Sequence, residues 1–176
     1  MVGERASERW EGLRVLGVDP GLRVSGYAVI EVAAGGEVEV VDAGTITAET
    51  TGSLEERLGQ IAEGIEAVLK EHRPAMLAVE ALYSHYQHPA TAIRMAHARG
   101  VILLAAARAD VAVAEYAATR VKKSLTGNGR ASKEQMQQAV RLRLGLAEPV
   151  EPADVADALA IAMCCLNEQQ REAMTR

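Results

Sequence analysis

Phenylalanine is absent from the 176-residue chain, while tryptophan occurs once and tyrosine four times. The interior is therefore predicted to be aliphatic and rich in alanine. Cysteine is nearly absent too: Cys164 and Cys165 are the whole supply, side by side in an apolar stretch of helical spacing. A disulfide framework or a metal knuckle needs separated partners, so neither is expected and two buried free thiols are. No apolar run reaches the length needed to span a bilayer, and the opening MVGERASERWEG is charged where a signal peptide has an apolar middle. A cytoplasmic protein with no membrane partner is expected. Internal repeats and low-complexity tracts are also missing.

Positive charge is in deficit, with 19 Lys and Arg against 24 Asp and Glu, a formal net charge of −5 and a pI near 5.4. Bulk charge of that sign does not hold nucleic acid. One stretch reverses the balance. RVKKSLTGNGRASK, from Arg120 to Lys133, carries Arg120, Lys122, Lys123, Arg130 and Lys133 and no acid. It reads as a basic loop, either simply solvated or facing phosphate.

The length suits one well-cored domain. Residues 1–12 read as a flexible extension and residues 13–170 as a single α/β domain. Strands are predicted at Arg14–Asp19, Tyr27–Val32 and Val38–Thr47, an antiparallel run with a hairpin turn at Gly35-Gly36. Ser53 with Glu56 forms a capping-box pattern ahead of Leu58, Ile61, Ile65 and Leu69, which predicts a helix ending near His72. AMLAVE, residues 75–80, is too short for a helix and reads as a buried strand. Pro89 opens a long helix to about Ala109, whose small face at Ala96, Gly100 and Ala107 predicts close approach by another helix or backbone. A strand at Val111–Tyr116, a helix at Lys133–Leu144 and a last helix from about Asp154 complete a mixed sheet with helices on its faces.

Four carboxylates stand out against this pattern. Asp19 ends the first strand before the Pro20-Gly21 turn, and Glu80 ends a later strand in the same way. A carboxylate at the end of a buried strand loses solvation unless a metal ion or a base meets it, although Asp also hydrogen-bonds the turn it opens. Asp154 and Asp157 share one side of the last helix near its start, where acids also complement the helix dipole. Should the four converge, hard divalent cations make the cluster tolerable, because Mg²⁺ or Mn²⁺ takes a few carboxylates, keeps several waters and meets substrate phosphate. Two ions about 4 Å apart would activate a water and stabilise the leaving oxygen in phosphodiester cleavage. They would also move the formal charge from −5 to −1, so an acidic chain does not exclude a nucleic-acid substrate.

The segments GVDPGLRVSGYAVI, VEALY around Glu80, EYAATRVKKSLTGNGRASKEQM and DVADALAIA together resemble the RuvC family of Holliday-junction resolvases, over about residues 14–166. The resemblance implies a ribonuclease H-like fold, with a mixed five-stranded sheet flanked by helices, and a homodimer. It implies a divalent-metal-dependent endonuclease that resolves four-way DNA junctions in recombination and repair, by paired symmetric nicks leaving 5′-phosphate and 3′-hydroxyl ends. Asp19, Glu80, Asp154 and Asp157 become the catalytic quartet, holding two Mg²⁺ or Mn²⁺ ions per site. Lys122 and Lys133 match basic residues that face the substrate, Lys133 with a catalytic role, and Tyr83 matches an aromatic, usually Phe, that contacts the junction centre. Arg120, Lys123 and Arg130 are the further DNA-binding candidates. Contact with the branch-migration proteins RuvA and RuvB is implied as well. Tyr in place of Phe, the 12-residue extension and the short C-terminal tail depart from the family pattern. Ser84, His85 and His88 read as loop polar residues, and His72 and His97 as structural or exposed.

Other readings meet specific obstacles. A YqgF-like nuclease of the same fold acting on RNA resembles the first strand but accounts less well for the basic stretch and the paired aspartates. An ATP-binding module like actin or the sugar kinases needs two such domains. A non-catalytic junction-binding protein has no use for all four acids.

Overall fold

The sheet is built round β1 (Arg14–Asp19) in the computed structural model, which describes residues 10–82 and 89–175. β1 pairs antiparallel with β2 (Val24–Val32), and β2 antiparallel with β3 (Val38–Thr47). On its other side β1 runs parallel to β4 (Met76–Glu80), and β4 parallel to β5 (Ala112–Tyr116), giving the order β3-β2-β1-β4-β5. The helices are α1 (Leu54–His72), α2 (Pro89–Arg108), α3 (Ala118–Thr126), α4 (Lys133–Arg143) and α5 (Ala153–Met174). This mixed five-stranded sheet flanked by helices is the ribonuclease H-like arrangement.

Alternation along β1 sorts the core into two layers. Leu16 and Val18, with Leu77 and Val79 of β4, pack against α1 and α2. Val15 and Ala78 face the opposite way, against α5 and the inner sides of α3 and α4. Aliphatic and alanine side chains fill both layers as expected, and Cys164 and Cys165 are buried free thiols on α5. Burial pushes the Cys164 thiol up to about 11, which keeps it protonated and inert at neutral pH.

Helix α5 lies directly on the sheet. A methyl group at Gly17 would overlap the carbonyl oxygen of Ala158 and stand 2.7 Å from the backbone nitrogen of Ala162. At Gly26 it would overlap the carbonyl oxygen of Asp154 and stand 3.0 Å from that residue's Cβ. Glycine at these two strand positions is what lets a helix backbone touch strand backbone. The residues of α5 from Val155 to Leu166 are buried almost all round.

The local signals mostly hold. Ser53 and Glu56 close the expected capping box, and α1 ends at Arg73 in a left-handed conformation (φ 45°) before Pro74. His72 is buried and its Nε2 lies 3.1 Å from Asp42 Oδ2, while His97 is exposed with Nδ1 2.8 Å from the Ile93 carbonyl oxygen, so both are structural.

Two expectations are corrected, and a third is not met within the described chain. The basic stretch is not a loop: residues 118–126 form α3, with Val121 and Leu125 buried one turn apart and Gly127 (φ 77°) ending it. Ala117 at its N-cap makes no side-chain cap bond, so the usual sequence signature of a helix start is missing. Gly100 meets nothing within 4 Å of a Cβ, so its small face is open within the described chain and not pressed on a neighbour. Residues 90–108 of α2 are also long and apolar enough to cross a membrane by composition. Here the helix is half of a layer, burying Ala98, Ile102, Ala105 and Ala106 and leaving Ile93 and Leu104 58% and 50% exposed.

Gly17→Ala is expected to lower stability by about 1–3 kcal/mol or more, because the overlap is with backbone and cannot be relieved by a rotamer change. Gly59→Ala, in the middle of α1 with nothing within 4 Å, is expected to raise it by about 0.5–1 kcal/mol. Urea unfolding of the two variants checks both signs.

Candidate active site

Register brings the first two acids together. β1 and β4 are paired from Val15 with Met76 to Val18 with Val79, so the next step sets Asp19 beside Glu80 at the ends of parallel strands. Both continue the series of residues that face α5. The turn after Asp19 is held by Ser25, fully buried, whose Oγ accepts from the Gly21 N–H (3.0 Å) and donates to the Gly21 carbonyl oxygen (2.8 Å). Arg99 of α2 donates from Nε to the Glu80 carbonyl oxygen (3.3 Å) and steadies the other strand end.

The second pair arrives on α5. Gly26 is the cross-strand partner of Asp19, and the helix backbone touches it at Asp154. The first turn of α5 is thereby set over the end of β1, with Asp157 one turn further on. Asp19, Glu80 and Asp157 line a cleft of about 300 Å³ together with Lys122 of α3 and Lys133 and Met136 of α4. Asp154 is not on that wall, but its charge reaches both Asp19 and Asp157.

The electrostatics are those of an unbalanced acidic site. Burial pushes the Asp19 carboxyl up to about 7; the carboxylates of Asp157, Glu80 and Asp154 add to the rise and the Lys133 ammonium opposes it. Glu80 is raised by burial and then by Asp157, against Lys122. Asp157 is raised by burial, opposed by Lys133 and Lys122 and reinforced by Asp154. Among the described residues the acids do not close into a ready-made ligand set of three or more. What suits a Mg²⁺ or Mn²⁺ ion is the donor chemistry: hard carboxylate oxygens in excess over two ammonium groups, beside open space for waters and a phosphate. A divalent charge in the cleft would reverse the upward shifts.

The structure thus brings together Asp19, Glu80, Asp157, Lys122 and Lys133, with Asp154 alongside. It separates the other basic candidates from them. Arg120 and Lys123 lie on the far side of α3, and Arg130 is exposed and lines neither side. Tyr83, Ser84, His85 and His88 lie outside the described residues. The apolar walls Ala118, Val121, Ala160 and Ile161 were not singled out from the sequence, nor was the spacer role of Gly17. An isolated glycine inside a strand of branched residues is a sign of close backbone approach, so Gly17 was findable.

With this geometry in hand, comparison with known proteins is informative. The family model for the crossover junction endodeoxyribonuclease RuvC matches residues 15–165. A crossover junction endodeoxyribonuclease RuvC from Rhodopirellula baltica is 51% identical over 150 residues, covering 85% of this chain and 84% of its own length. One from Heliobacterium modesticaldum is 44% identical over 151 residues, covering 86% and 92%. Among solved structures, T. thermophilus RuvC in complex with Holliday junction substrate superposes with a TM-score of 0.85 at 32% identity, over 91% of this chain and 96% of that one. Agreement of sequence and backbone over nearly the whole chain means that it belongs to the RuvC family.

Proposed function

We propose that this chain is a crossover junction endodeoxyribonuclease that resolves four-way DNA junctions in recombination, with the aid of divalent metal ions. The observation that carries this reading is the arrival of acids from three separate elements, β1, β4 and α5, beside one cleft that also holds two lysines. Asp19, Glu80, Asp154 and Asp157 would hold the metal, most economically two Mg²⁺ or Mn²⁺ ions. When bound, such ions activate an attacking water and take up charge on the phosphate and the leaving oxygen. Among the described residues the cleft wall offers no hydroxyl, thiol or imidazole, and its carboxylates are the groups suited to holding metal, which leaves attack to water. Attack by water with cleavage of the P–O3′ bond would leave a 5′-phosphate and a 3′-hydroxyl, ends that a ligase can rejoin.

The chain's own contribution is placement. Asp19 and Glu80 are fixed by strand pairing, and Asp154 and Asp157 by a helix that cannot slide on its glycine contacts. Lys133 and Lys122 supply positive charge for phosphate oxygens, Lys133 acting most on Asp157 and Asp19 and Lys122 on Glu80 and Asp157. Charges held in place by the fold need no reorganisation as charge develops on the phosphate.

Resolving a junction takes two cuts in strands of like polarity, which two copies about a two-fold axis supply. The bare face of α2 supports pairing: Ile93, Ala96, Gly100 and Leu104 form one stripe at helical spacing, exposed and without a neighbour at Gly100. DNA repair, the cytoplasm, and RuvA and RuvB as partners belong to the same proposal.

Asp19→Asn, Glu80→Gln, Asp154→Asn and Asp157→Asn are each expected to lower junction cleavage by about two to three orders of magnitude while binding survives, with double variants little worse than single ones. Cleavage and gel-shift assays on one four-way junction decide this, and a parallel loss of binding counts against the assignment.

Stability has its own pH signature. The folded Asp19 carboxyl holds its proton up to about pH 7, whereas in the unfolded chain it releases it near 3.8. Folded protein therefore binds the extra proton between these values, and stability falls as pH rises through that window. In chelating buffer the urea-unfolding gap between Asp19→Asn and the parent, in favour of the variant, is expected to widen by a few kcal/mol from pH 4 to 7, at about 1.4 kcal/mol per pKa unit. Excess Mg²⁺ is expected to narrow it, and a gap independent of pH contradicts the account.

Leu104→Glu, at a half-exposed position, is expected to leave the monomer folded and to convert a sedimenting dimer into monomer. A parent chain that sediments as an active monomer overturns the two-fold model.

A further inference from the structure

Helix α3 divides the basic stretch between two sides. Lys122 lines the acidic cleft, while its neighbour Lys123, with Arg120, lines a second cleft of about 310 Å³ on the far side of the helix. Arg143 at the end of α4 and Arg171 on α5 complete that second wall. Four bases meet there with one acid, Glu168, in a chain whose formal net charge is −5. Glu168 is largely buried and engages two of the bases, Arg120 Nη2 at 2.5 Å and Arg171 Nη2 at 3.3 Å. Arg143 donates only to neutral groups, Asn167 Oδ1 (3.5 Å) and the Ser124 carbonyl oxygen (3.4 Å), and Lys123 has no carboxylate within ion-pair distance among the described residues. The cleft keeps a positive surplus at its mouth.

Its position relates it to the acids. Glu168 follows Asp157 by eleven residues on one helix, which is three turns and about 20° more, so both lie on the same side of α5 roughly 16 Å apart. Only α3 stands between them. Lys122 and Lys123, consecutive on that helix and about 100° apart around it, put one base on each cleft. A compact anion fits four spread bases poorly; a polyanion that is already anchored at the acidic cleft fits them well.

We infer that this second cleft grips the sugar–phosphate backbone of a DNA arm away from the cutting site. The inference rests on the nuclease reading for what is anchored at the acids. At a rise of about 3.4 Å per base step, roughly 16 Å reaches the phosphates four to six steps from the one that is cut. The contact is to backbone and carries no base specificity; it fixes the angle at which the arm leaves the acids.

The test measures binding in chelating buffer, with a four-way junction and a linear duplex, for the parent chain, Lys123→Ala/Arg143→Ala and the charge-keeping Lys123→Arg/Arg143→Lys. The alanine pair is expected to reduce the slope of log affinity against log salt by about 2, and the charge-keeping pair to retain it, which separates charge from any loss of the Arg143 hydrogen bonds. Neutral methylphosphonate linkages placed four to six steps from the cut are expected to weaken the parent roughly tenfold and the alanine pair less than about twofold. An unchanged salt slope, or equal methylphosphonate losses in parent and variant, overturns the inference and leaves the cleft to a partner other than DNA. Cleavage by the parent is scored separately: if it cuts junctions but shows no such coupling, the second cleft alone fails, and if it does not cut, the nuclease reading fails while the coupling still decides the cleft.

Discussion

Backbone contact between α5 and the sheet at Gly17 and Gly26 is the constraint on which the site depends. Most helices ride on a sheet at a distance set by their side chains, and small repacking can shift them. Here no side chain intervenes at two points one helical turn apart, Asp154 and Ala158, so the height and register of the helix are dictated by strands β1 and β2. The acids on its first turns inherit that fixity. Apolar burial around almost the whole circumference from Val155 to Leu166 removes the remaining freedom to roll.

That rigidity is set against electrostatic strain. Three of the four carboxylates are held above their ordinary pKa range by burial and by one another, and two lysines offset only part of the charge. A protein selected for folding stability alone would place neutral or apolar groups at these strand ends. The cost is tolerable because the acids come from three elements that are each anchored elsewhere: β1 and β4 in the middle of the sheet, and α5 in the layer beneath α3 and α4. The same arrangement makes the cleft a demanding place for cations, since hard oxygen donors in excess negative charge select small divalent ions over ammonium side chains.

Much of this was legible in the chain itself. Short apolar runs ending in Asp19 and Glu80 located both strands, and the capping box at Ser53 located α1, because these signals are local and depend on no partner. The Asp154 and Asp157 spacing showed that the two acids share a helix side, though not which strand that side would meet. Helix α3 escaped notice because most of its nine residues are polar, its start is uncapped by a side chain, and it is held mainly by burying Val121 and Leu125 against α5. With the helix unseen, the five bases read as one patch, whereas their division follows from helical geometry that turns Lys122 and Lys123 toward different clefts. Arg143 and Arg171 joined Arg120 and Lys123 only through tertiary packing, and no sequence spacing links them. The small face at Gly100 is uncovered among the described residues, since glycine in a helix signals close approach without saying whether the neighbour belongs to the same chain.

The order of the acids along the chain has a bearing on the cell that makes it. Asp19 and Glu80 lie in the first half of the sequence, while Asp154 and Asp157 come more than seventy residues after the second of them. During synthesis the central strands can pair before α5 has left the ribosome, yet the helix that completes the charge cluster and overlies Gly17 and Gly26 emerges only after all five strands. A nascent chain therefore carries half a site, and a prematurely terminated one never gains the rest. For a protein of a nuclease family, translation order works as a safeguard: the acidic cluster stays incomplete until α5 has emerged.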